Sequence, residues 1–101
     1  MNYKLSVYDK YKDLSIKIFF RKSRVDGDFL IIMNERLEMV YLTSMAKEMM
    51  TYISDNNGIK VNTFFENFFN EYEIDEITLK NDIIDFIKDM QRKDMLLLEV
   101  S

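Results

Sequence analysis

Apolar residues occupy every second position at the start of LSIKIFFRKSRV, where Leu14, Ile16, Ile18 and Phe20 share one face. Such alternation, in β-branched and aromatic residues, predicts a strand. The Asp-Gly pair in VDGD, Val25 to Asp28, favours a tight hairpin turn. FLIIM, Phe29 to Met33, is apolar on both faces and reads as the central strand. NERL, Asn34 to Leu37, is polar enough for a second reversal, and EMVYL, Glu38 to Leu42, is the third strand. These segments predict a three-stranded antiparallel meander with EMVYL at one edge. Residues 1–13 mix polar and aromatic positions without a clear period. They read as an N-terminal arm, or a loosely attached strand, ahead of a domain spanning 14–101.

Beyond Leu42 the period becomes helical. Thr43 or Ser44 caps a helix that starts directly after the strand, with no Gly or Pro between. Met45, Met49, Tyr52 and Ile53 fall on one face of it, and Gly58 marks its end. VNTFFENFFNEY offers Asn62 as the cap of a second helix and Phe64, Phe65, Phe68, Phe69 and Tyr72 as its apolar stripe. Asp75 or Thr78 can cap a third, LKNDIIDFIKDMQRK, whose buried face is Leu79, Ile83, Phe86, Ile87 and Met90. MLLLEV, Met95 to Val100, reads as a short closing strand or extended tail. Three strands followed by three helices is an α+β arrangement. Its last two helices and trailing strand resemble a winged helix-turn-helix.

Composition narrows the chemistry. The 101 residues suit one domain, and 48% apolar content with fourteen Phe and Tyr is ample for a core. Cysteine and histidine are absent, which removes disulfides, thiolate nucleophiles, imidazole bases and the usual zinc ligands. No cofactor or metal is expected. Asp82, Asp85 and Asp89 lie on a helix flank and read as a solvated face. No apolar run reaches the roughly 18 residues of a membrane helix, and no signal-peptide pattern opens the chain. A cytoplasmic, soluble protein without membrane attachment is expected. Net charge is −4 but uneven. Residues 1–25 hold seven basic and two acidic residues, net +5, and residues 26–101 hold seven and sixteen, net −9. The basic segment is a solvated surface, or an arm that meets an acidic peptide or protein.

Three stretches carry a family resemblance. VYLTSMAKEMM resembles a strand ending in Leu-Asn that runs into a helix with small first residues. NNGIKVNTFFENFFNEYEID resembles a Gly turn, a second helix and a Tyr-acidic-aliphatic-Asp ending. LKNDIIDFIKDMQRKDMLL resembles a third helix with Asp82 in its first half, Phe86 and Met90 at core positions, and a Leu-Leu exit. In order and spacing these are similar to the PqqD-like proteins, the precursor-peptide recognition elements of ribosomally made, modified peptides. Thr43 stands where Asn is usual and keeps a capping oxygen. Asp94 stands where Gly is usual, and Asp visits the left-handed region more readily than most residues. The resemblance implies a protein that catalyses nothing. It would capture a precursor's leader as an extra strand on its third strand, against its third helix, and present it to a maturation enzyme. That enzyme would be a radical-SAM enzyme or a leader peptidase and cyclase pair.

The residues support that expectation on their own terms. EMVYL has no Pro and no Lys, and its one charge, Glu38, sits at its start. Glu38, Met39, Val40, Tyr41 and Leu42 are therefore expected to form an unblunted edge open to strand addition. On a helical wheel Ile84 lies to one side of the core face, between Lys80 and Lys88, with Ile87 bridging towards the core. This flank is expected to meet an amphipathic guest carrying acidic residues, unless the arm or tail covers it. An open edge can also pair with its own copy in a homodimer. Two other functions fit less well. A winged-helix DNA-binding protein would read bases with the third helix, but three aspartates there oppose phosphate, so no nucleic acid is expected. A generic protein–protein adaptor would use the same groove for another ligand.

Overall fold

Nine elements follow one another in the computed structural model, which describes residues 3–100 and, for side chains, residues 6–100. They are α1 (Tyr3–Tyr11), β1 (Ser15–Ile18), β2 (Lys22–Asp26), β3 (Phe29–Met33), β4 (Met39–Leu42), α2 (Ser44–Asp55), α3 (Val61–Glu71), α4 (Glu76–Arg92) and β5 (Leu96–Glu99). The fold is α+β and winged-helix-like. Strands β2, β3 and β4 form the expected antiparallel meander in that order. Gly27 takes a φ of 62° at the first central position of the β2–β3 turn, where a two-residue hairpin favours glycine.

Three expectations need correction. The segment read as an arm or loose strand is helical, and Val7 and Tyr8 of α1 are buried in the core. The single strand expected from Leu14 onward is two. β1 pairs with β5, whereas β2 pairs with β3. Alternation announces a strand but not its partner, and the partner of Ile16 is Leu98. Asn62 does not cap α3. An antiparallel bridge between Ser15 and Lys60 holds Lys60 extended, so the helix starts at Val61. Asn62 instead accepts a hydrogen bond from the Tyr8 hydroxyl at 3.1 Å.

The other helix boundaries follow local chemistry. Asp75 caps α4 by accepting from the Thr78 N–H at 3.1 Å. Thr43 occupies the N-cap position of α2, but its hydroxyl makes no capping bond. Ser44 turns the chain there with a φ of 55°. Asp94 takes the left-handed conformation its place after α4 requires, with φ 57°. The core sits where the inner face of the meander (Leu30, Ile32, Leu42) meets Met49 and Ile53 of α2, Phe64 and Phe68 of α3, and Ile83 and Ile87 of α4. No helix among the described residues is long and apolar enough to cross a membrane.

Candidate functional site

The edge of the meander can be read atom by atom. Asn34 N–H donates to the Glu38 carbonyl at 3.1 Å, which makes 34 and 38 a hydrogen-bonded pair. In an antiparallel ladder such pairs alternate with non-bonded ones. The register sets Ile32 opposite Val40 and Leu30 opposite Leu42, so Val40 and Leu42 also point their backbone groups at β3. The N–H and C=O of Met39 and Tyr41 therefore point out of the sheet. Among the described residues β4 pairs with β3 alone.

The opposite edge differs in chemistry. β2 has the sequence KSRVD, and all five residues are exposed. Charges along an edge discourage pairing with another chain. β4 has none: its sequence is MVYL, and Met39 and Tyr41 are large, apolar-bodied and exposed.

Beside the start of β4 a groove opens against the end of α4. Val40 lines one end with Arg92, Lys93 and Met95. Arg92 also borders a depression with Phe86, Asp85, Lys88 and Asp89. Phe86 continues into a third depression with Asp82 and Met45, Ala46 and Met49 of α2. Asp82, Phe86, Asp89 and Lys93, at helical spacing, line these successive depressions.

This corrects the expected flank. Ile84 and Ile87 are 1% and 0% exposed and belong to the core, while Phe86 is only half-buried. The reason is α1, which packs along α4. The Lys80 ammonium lies 4.8 Å from the Tyr8 ring centroid and 5.1 Å from that of Phe65. Lys80 thus faces α1 and α3, not β4. Lys88, of that flank, lines a depression beside the groove. Residues Glu38 to Leu42 occupy the edge as expected, with Leu42 buried beneath it.

One buried polar residue was not singled out from sequence. Asn34 is 1% exposed and uses its full hydrogen-bonding capacity. Its Nδ2 donates to Glu38 Oε1 at 3.0 Å and to the Lys93 carbonyl at 2.9 Å, and its Oδ1 accepts from the N–H groups of Arg36 and Glu38. It joins the β3–β4 turn to the end of α4 and sets the width of the groove there. The bonds from Asn34 and Arg36 hold the Glu38 carboxyl below the usual range. Burial opposes ionisation of Asp89, but bonds from Lys93 and Arg92 outweigh it and lower that carboxyl too. Arg36 also pairs with Asp94. Arg36, Arg92 and Lys93 thus already have carboxylate partners.

No protein-family model and no curated protein matches the chain. Among solved structures the fold is shared with TbiB1 in complex with the TbiA(beta) leader peptide. The TM-score is 0.68 and sequence identity 18%, over 79% of this chain and 93% of that one. At that identity the likeness is one of fold.

Proposed function

We propose that this protein binds the leader segment of a ribosomally synthesised precursor peptide as an added strand on β4, and presents it to a modifying enzyme without catalysing the reaction. The observation that carries this reading is the uncovered ladder of Met39 and Tyr41 beside a groove. An extended guest completes that ladder through main-chain hydrogen bonds, and the side chains facing the groove supply selectivity. The fold shared with a leader-bound protein supports the same reading.

A proline scan tests it. Tyr41→Pro removes an N–H that no residue of the sheet uses, and proline is tolerated where an edge N–H faces solvent. The variant is expected to keep the wild-type far-UV spectrum and to lose binding of the cognate leader. Val40→Pro removes a bond within the sheet and is expected to unfold the hairpin. Undiminished leader binding by a folded Tyr41→Pro rules out strand addition at β4. Retention of a random DNA duplex in a salt-dependent gel shift would favour the winged-helix DNA reader instead.

A further inference from the structure

The side of the meander away from α4 is also apolar. Tyr41 sits opposite Ile31 and Met39 opposite Met33 on that outer face. Phe29 meets Tyr41 edge-on with ring centroids 5.9 Å apart. Ile31 is 4% exposed even though it points away from the core, so its neighbours already close over it. Met39 and Tyr41 are 53% and 54% exposed, and with them the apolar cluster stops abruptly at the open edge.

Both residues carry two features at once. Their backbone N–H and C=O point out of the edge, and their side chains point to the outer face. A strand that pairs with those backbone groups sets its own residues opposite them. Directly opposite side chains in a β pair share a face, with Cβ atoms about 4.5–5.5 Å apart. The guest residue between those two falls opposite Val40, on the groove side.

We propose that β4 reads its guest on both faces: alternate guest residues enter the groove against α4, and the two between them cover Met39 and Tyr41 on the outer face. The inference rests on the strand-addition reading and adds a ligand class to it. The guest is an extended peptide with aromatic or β-branched residues at two outer positions, i and i+2. Such residues extend the cluster of Phe29, Ile31, Met33, Met39 and Tyr41. The charges of the outer face, Lys22, Arg24 and Asp26, lie on β2, and Lys22 and Arg24 border the same depression as Ile31, Met33 and Met39.

The test is a phage-displayed library of ten-residue peptides, randomised at every position and selected against the full-length protein. Tyr41→Lys and Met39→Lys are selected in parallel. Both change exposed side chains, and their folding is verified by thermal melts. The wild type is expected to enrich aromatic and β-branched residues at two positions two apart, and replacing either by Ser is expected to weaken binding about threefold. Tyr41→Lys is expected to switch one of them to Asp or Glu, and Met39→Lys the other, with the groove-side preference unchanged. Alternating binders whose outer positions ignore both lysines overturn this inference and leave strand addition standing. A library that yields no binder, or binders without two-residue alternation, overturns both.

Discussion

The side-chain amide of Asn34 donates to the carbonyl of Lys93 at 2.9 Å, across 59 positions of sequence. That bond fastens the turn between β3 and β4 to the end of α4. Its partner bonds to Glu38 and Arg36 fix the start of the edge strand. The mouth of the groove is therefore held by a buried amide, together with the Arg36–Asp94 pair and the packing of Val40 and Met95.

Asn34→Leu removes that fastening and leaves the Lys93 carbonyl and the Glu38 N–H without their partner. A buried polar group deprived of its bond costs about 1–3 kcal/mol. The variant is expected to lose roughly 2–4 kcal/mol in urea unfolding, and its leader affinity is expected to fall further than its stability alone explains. Asn34→Asp keeps the acceptor but loses both donors, and places a second charge beside Glu38. It is expected to be no better.

Leu37 takes a left-handed φ of 65° while 62% exposed. For a residue with a Cβ that conformation costs about 1–2 kcal/mol. Glycine adopts it freely but gives back roughly 0.5–1 kcal/mol in chain entropy. Leu37→Gly is therefore expected to raise stability by about 0.5–1 kcal/mol, seen as a higher melting temperature. A lower one would show that the exposed leucine packs usefully against the groove.

Ile84 and Phe86 have exchanged the roles their spacing predicts, and truncation separates them. Ile84→Ala opens a cavity between α1 and α4 and is expected to cost about 2–4 kcal/mol. Leader affinity, measured on the folded fraction, should stay near wild type. Phe86→Ala removes a half-buried ring and is expected to cost less stability. It should weaken leader binding by about tenfold, the loss of one apolar anchor in a groove. Calorimetric titration of both variants provides the comparison.

Alkaline pH probes the packing of α1. Burial, reinforced by Glu66 and Asp9, pushes the Tyr8 hydroxyl up to about 12 from its ordinary 10. The folded chain keeps a proton that the unfolded chain releases. This contribution is complete below pH 10 and is lost as pH rises through about 12. Unfolding free energy is expected to fall over that window by up to roughly 2 kcal/mol. Tyr8→Phe should flatten the fall, and absorbance titration should show one late-ionising tyrosine fewer.

Local pattern alone determined a good part of this protein. The apolar run of FLIIM, the turn at VDGD and the strand read in EMVYL announced the meander and its first hairpin. The helical spacing of α2, α3 and α4 was equally legible, and Asp75, one of two caps the sequence offered for α4, is the one used. The absence of Pro and Lys from MVYL marked it as an open edge. Composition excluded thiol and imidazole chemistry outright.

Tertiary structure decided the rest. Which strand β1 joins depended on Leu96–Glu99 at the far end of the chain, and no local pattern encodes a partner that distant. α1 has little amphipathic character of its own, and it is defined by where Val7 and Tyr8 are buried. Covering one flank of α4 sank Ile84 and left Phe86 to the groove. A wheel shows the apolar arc of a helix but not which neighbour covers each side of it. The direction of each N–H along β4 likewise followed from register, which only the paired strand can set.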